Sequence, residues 1–187
     1  MKPLVDNVTI FLSILTVFAN VSTLVLLFTL LFAKLRGNKI SGLPNKILNL
    51  ASNWAIPVSF IIALVSTLGS LFFSEVAGYS PCVLCWYQRI FMYPLVLLFG
   101  VALIKKEKKY ILEYAIPPVV LGVLLAGLHS LEQITVDPFL PCSTIGYAVS
   151  CTKFFFRTFG YITIPLMSLS AFAFILLLLL AKRAHKQ

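Results

Sequence analysis

The sequence predicts an all-α membrane protein with five transmembrane helices, and three observations carry that prediction. Of its 187 residues, 60% are hydrophobic and 11% charged, with a mean hydropathy of +0.99. A soluble domain of this size cannot hide so much apolar surface. Five apolar runs, 8–33, 47–73, 87–104, 111–131 and 161–181, are long enough to cross the hydrocarbon core, for which a helix needs roughly 17–25 residues. None shows the polar/apolar alternation of a membrane barrel, so helices remain as the way to satisfy the backbone in lipid.

The run 8–33 is too long for the apolar region of a signal peptide. It has one lysine ahead of it, Lys2, and no Ala-x-Ala cleavage site. Lys34 and Arg36 follow it as a stop-transfer signal, so it is expected to remain as a helix, with scaffolding or partner docking as its role. The run 47–73 leads into the connection 74–86. The run 87–104 is the shortest and carries Pro94. Pro117 and Pro118 lie in 111–131, and Pro165 lies near the start of 161–181. These prolines are expected to kink or start spans.

The basic residues set the orientation. Lys34, Arg36, Lys39, Lys46, Lys105, Lys106, Lys108, Lys109, Lys182, Arg183 and Lys186 fall on one side if every run spans. Only Lys2, Arg89, Lys153 and Arg157 fall on the other. The positive-inside rule then puts the N-terminus outside, the C-terminus in the cytoplasm, and 74–86 and 132–160 outside. The net charge of +9 is thereby assigned to cytoplasmic loops, and nucleic-acid binding is not expected. Glu75, Glu132 and Asp137 read as solvated loop charges. Trp86, Tyr87 and Phe154–Phe156 read as interfacial aromatics.

Cys82, Cys85, Cys142 and Cys151 all fall in the two outer connections or at their edges, which hold about a quarter of the chain. Random placement would do this well under about 1% of the time. Disulfides form and persist outside a bacterial inner membrane, so an even count there reads as two pairs. Cys82 and Cys85 form a Cys-x-x-Cys motif, whose spacing favours a reactive thiolate. Local pairing of Cys82 with Cys85 and of Cys142 with Cys151 is the simplest connectivity, and Gly146 lets the second loop turn. Three connectivities are possible, and sequence does not choose among them. A membrane scaffold with structural disulfides and a metal-binding protein both remain open. The long second spacing and the oxidising face speak against zinc.

The stretch Cys82-Val83-Leu84-Cys85-Trp86-Tyr87-Gln88-Arg89 closely resembles the Cys-Val-Leu-Cys-x-x-Gln/Glu-Arg hallmark of the DsbB/BdbC family of quinone-dependent disulfide-bond formation proteins. His129-Ser130-Leu131-Glu132-Gln133 is similar to the family's His-x-x-x-Gln. Cys142 and Cys151 sit where its second pair sits. Phe159–Pro165 resembles the start of the last helix in the short-loop BdbC-like branch. Vitamin K epoxide reductase-like proteins, by contrast, place the loop pair before the Cys-x-x-Cys. The resemblance covers about 47–181. It implies a four-helix transmembrane bundle core plus one extra N-terminal transmembrane helix. Residues 1–46 would form that helix and a basic cytoplasmic loop, and 47–187 the redox domain.

The resemblance also implies an enzyme, a quinone-dependent protein-disulfide oxidoreductase of the bacterial inner membrane. Its partner would be a DsbA/BdbD-like thioredoxin-fold protein outside. Electrons would pass from that partner to Cys142–Cys151, then to Cys82–Cys85, then to ubiquinone or menaquinone, each thiol step being exchange through a mixed disulfide. Cys85, nearer the membrane, is the candidate quinone-facing sulfur. Arg89, His129 and Gln133 are the candidate quinone-binding residues.

Overall fold

A computed structural model describes residues 2–36, 42–106, 110–135 and 150–185. Among them are five helices: α1 (Lys2–Leu35), α2 (Leu43–Leu71), α3 (Val83–Ile104), α4 (Ile111–Ile134) and α5 (Ile164–His185). Each is long and apolar enough to cross a membrane, and the protein is an all-α, multi-pass membrane protein. The described residues contain no strand, only a single bridge between Thr158 and Ile162.

Helix boundaries have local causes. Gly42, at φ 83°, precedes α2, and Pro44 occupies its first turn, where no amide partner is lost. The end of α2 widens into a π turn over Phe72–Val76, and Gly78 at φ 70° takes the chain out of it. Cys82 is the N-cap of α3: its sulfur accepts the Cys85 amide at 3.3 Å. The third span therefore opens at Val83 rather than near 87, and Cys85 lies inside its first turn. Pro57, Pro94, Pro117 and Pro118 lie inside helices rather than at their starts, as neighbouring spans in a membrane bundle allow.

Helices α2 to α5 share one core, in which Leu95, Phe99, Val119, Phe172, Ile175 and Leu179 are fully buried. Pairings between helix ends make neighbours antiparallel. Arg89 at the start of α3 meets Ser70 at the end of α2. Gln88 meets His129 near the end of α4. Lys182 near the end of α5 donates to the Ser52 carbonyl near the start of α2.

The first helix packs on the outside of this core, against α5 and α2. Its buried face is small and hydroxylated: Thr9, Ser13, Thr16, Thr29 and Ala33, with Leu26. Small residues at helical spacing let helices approach closely in lipid. Each hydroxyl is satisfied within the helix, as in Ser13 Oγ to the Thr9 carbonyl at 2.7 Å, so burying it leaves no unmet donor. Gly69 of α2 sits so close that an added Cβ would lie 3.0 Å from Leu12 Cδ1.

Candidate active site

The polar side chains cluster at one end of the bundle, where α2 and α4 end, α3 begins, and the segment 150–163 leads into α5. The N-cap position of Cys82 and the helical position of Cys85 bring their sulfurs to 2.8 Å. Both are free thiols. A disulfide could close here with little backbone movement. Two thiolates on one tetrahedral zinc would stand roughly 3.7 Å apart, as two bonds of about 2.3 Å require. The sulfurs, with His129, are near enough to share an ion, but their spacing suits a sulfur–sulfur bond better.

His129 reaches the pair from α4. Its Nε2 lies 3.6 Å from Cys82 Sγ and 3.2 Å from the Cys151 carbonyl oxygen. The Gln88 amide Nε2 donates to His129 Nδ1 at 2.9 Å. A nitrogen that accepts carries no proton in the neutral ring, so the proton sits on Nε2 and points at Cys82 and Cys151. Together these contacts hold the Cys82 thiol well below its ordinary value of 9.0, at about 5. The hydrogen bond from the Cys85 thiol does most of this. Burial opposes it, and His129 and the Cys85 amide add to it.

Cys151 is disulfide-bonded and buried, with 1% of its surface exposed. It packs in one small cluster with Cys82, Leu84 and Cys85. The other loop cysteine, Cys142, lies outside the described residues, as does Asp137. Cys151, expected in a loop open to water, is thus covered. Phe155 and Phe156 line the same cleft as Cys151, and they pack in turn on Tyr79 and Phe73, with Tyr79 stacked on Phe155 at 4.6 Å. Phe155 and Phe156 are therefore packed rather than free interfacial rings. Glu132 is fully buried rather than solvated, because α4 continues to Ile134 and carries it into the bundle. Gln133, one residue on, donates to the Lys153 carbonyl at 3.3 Å.

Arg89 faces another way. Its Nε donates to Ser70 Oγ at 2.9 Å and its Nη2 to the Ser70 carbonyl at 3.0 Å, while the guanidinium lies over the Trp86 ring at 5.2 Å. Tyr93 also donates to Ser70 Oγ, at 3.3 Å. Arg89 and Cys85 border an apolar cavity of about 310 Å³ between α1, α2, α3 and α5. His129 and Gln133 border a separate cleft of about 20 Å³ beside Cys82 and Cys151. Cys85 borders both spaces; Cys82 borders only the cleft. The sequence reading gave no role to Gln88, Ser70 or Tyr93. Gln88 carried a signal, being an amide within an apolar span, where a polar side chain is costly unless used. Ser70 and Tyr93 carried none.

With this geometry in view, known proteins are informative. Residues 52–182 match the family model described as disulfide bond formation protein DsbB. The chain belongs to the DsbB family. Its relatives include disulfide bond formation protein C of Bacillus subtilis, 37% identical over 142 residues, which are 76% of this chain and 97% of that protein. A probable disulfide formation protein C 1 of Bacillus anthracis is 40% identical over 119 residues, 64% of this chain and 84% of that protein. An SPbeta prophage-derived disulfide bond formation protein B of Bacillus subtilis is 40% identical over 116 residues, 62% and 76% of the two chains. No solved structure matches. This DsbB-family protein is thus a membrane disulfide oxidoreductase, and the family match, which begins within α2, does not include α1.

Proposed function

We propose that this protein reoxidises an extracytoplasmic, DsbA/BdbD-like thioredoxin-fold disulfide donor and delivers the electrons to a membrane quinone. One observation carries the proposal: the Cys82/Cys85 pair lies between a buried disulfide cysteine and a large apolar cavity, with Cys85 bordering both.

The cavity suits a quinone. Its volume of about 310 Å³ is within the range of small-molecule sites, and such sites pair apolar walls with a few placed polar groups. Arg89 and Cys85 supply polar groups here. Arg89 would orient a carbonyl oxygen, and Cys85 would present its sulfur to the ring. When bound, ubiquinone or menaquinone supplies an acceptor for two electrons and two protons.

The cysteines do the remaining chemistry by exchange. A thiolate of the partner attacks Cys142 in the Cys142–Cys151 disulfide, and Cys151 leaves as the thiolate. The partner's second thiol then releases Cys142, and the partner departs oxidised. With Cys82 and Cys85 joined, the Cys151 thiolate attacks Cys82 and expels Cys85. Cys142 then attacks Cys151, restoring the loop disulfide and leaving Cys82 and Cys85 reduced. The burial of Cys151 supports attack at Cys142, since a soluble protein cannot reach a sulfur with 1% exposure. The Nε2 proton of His129 stabilises the Cys82 thiolate that results. In this scheme the cysteine end faces outward from the bacterial cytoplasmic membrane, and residues 47–187 form the redox domain, with 1–46 as its N-terminal addition.

A single-turnover reaction with excess reduced thioredoxin-fold donor and no quinone tests the division of labour. Fully oxidised protein should accept two equivalents, and Cys85→Ser one. Cys151→Ser has no loop disulfide for the donor to attack and should accept none. A Cys85→Ser protein that oxidises no partner would sink the scheme and make Cys82–Cys85 the point of first attack.

A further inference from the structure

The helix that the family match leaves out forms part of the cavity beside the redox pair. Leu12, Leu15, Thr16, Phe18 and Ala19 of α1 line it. Ile61 and Val65 of α2 and Phe174 of α5 form the facing walls. Cys85, Gln88, Arg89 and Ser70 border the end beside the redox pair; the remaining walls are mostly hydrocarbon, with the hydroxyls of Thr16, Ser66, Ser168 and Ser170 among them. Two of the lining residues, Phe18 and Ile61, are 68% and 57% exposed. In a chain that spans a membrane these exposed rims face lipid, so the cavity opens sideways into the bilayer. An occupant must therefore be lipid-soluble, long, and polar at one end only.

We infer that α1 supplies the wall that holds the prenyl chain of the quinone, making this extra helix part of the electron acceptor's binding site. The inference rests on the quinone reading above and adds a residue set to it. A phospholipid acyl chain shares the apolar chemistry of the walls. It fits the polar end less well, because Cys85 is the thiol of a redox pair and an acyl chain offers it nothing to reduce. A headgroup at Arg89 and Cys85 directs any attached chain away from the polar end, along the wall that Leu15, Phe18 and Ala19 build. The close approach of α1 to α2 at Gly69 and Leu12 bounds that wall near the site.

Two measurements on the full chain test this. In the first, a quinone carrying a photoreactive diazirine on its prenyl chain is cross-linked to the unaltered protein, and the labelled peptide is identified. Label between Leu12 and Ala19, suppressed by excess unlabelled prenyl quinone but not by dioleoyl phosphatidylglycerol, is the expected result. Label only outside α1 would overturn the inference, and equal suppression by the phospholipid would make the groove a lipid site instead. In the second, Kd is measured by quenching of tryptophan fluorescence for a prenylated quinone and for its tail-less headgroup. Ala19→Phe, which fills the wall, should raise the prenyl-quinone Kd at least tenfold and the tail-less Kd less than threefold. Leu24→Phe, on an exposed part of α1 away from the cavity, should raise neither. Equal effects of Ala19→Phe on both ligands, or no effect on either, would refute the role of α1. Failure of the unaltered protein to bind either ligand would instead refute the quinone reading, and this inference with it.

Discussion

Cys82 is the residue on which the site's electrostatics converge. It caps α3, accepts a hydrogen bond from the Cys85 thiol at 2.8 Å and faces the protonated nitrogen of His129. Its alkylation rate in the reduced protein should rise through pH about 5 and stay level above it, because the thiolate is the nucleophile. Gln88→Leu removes the donor that fixes the His129 tautomer. A charge-assisted hydrogen bond is worth about 1.5 kcal/mol, so losing it should lower the thiolate-to-thiol ratio of Cys82 about tenfold. An unchanged alkylation profile would mean that His129 keeps its orientation without Gln88. Arg89 acts on the other side of the pair. Arg89→Ala should weaken apparent quinone affinity by about 1–3 kcal/mol while the protein still inserts. Unaltered affinity would reduce Arg89 to an anchor between Ser70 and Trp86.

At the scale of helices, α4 and α5 pack tightly at Gly122. A Cβ on Gly122 would overlap the Phe172 ring, and Phe172 is fully buried. Gly122→Ala should therefore destabilise the bundle by about 1–3 kcal/mol, as overpacking does, measured as a lower midpoint of thermal unfolding in detergent. A Phe172→Leu change in the same chain should recover part of the loss. The five spans were legible in the sequence because long apolar runs admit few alternatives in lipid. The start of α3 was not. Cys82 and Cys85 read as loop residues, since a cap formed by a sulfur has no compositional signature. The clustering of Cys82, His129 and Cys151 was half legible: the motifs fall at one membrane face, but which atoms meet depends on packing between α3 and α4. The packing face of α1 was not read from the sequence, although Thr9, Ser13 and Thr16 recur there at helical spacing.

Over the whole molecule, the redox pair, the Cys151 disulfide and the polar end of the large cavity share one end of the bundle. The proposed scheme requires that end to face outward, and the eleven basic residues assigned to the cytoplasm support it. Membrane-impermeant thiol reagents should label the cysteines of intact spheroplasts after reduction. Labelling that needs the membrane to be opened would reverse the orientation. Labelling of Cys151 should also lag behind that of Cys142, because the fold covers it.

The low proton affinity of Cys82 also governs how the pair's midpoint potential responds to pH. Near neutrality the reduced pair holds a single proton, the one on Cys85 that faces the Cys82 thiolate. Its two-electron oxidation then releases one proton instead of two. The potential should fall by about 30 mV per pH unit above pH about 5, and by about 59 mV per unit below it, where both sulfurs carry protons. Against an ordinary dithiol, whose potential falls by about 59 mV per unit, the driving force of such an oxidant therefore grows by about 30 mV per pH unit as the outside becomes alkaline. The Cys85 thiol and His129, which together hold Cys82 as a thiolate, would thus tune the protein to surroundings that are neutral or alkaline rather than acidic.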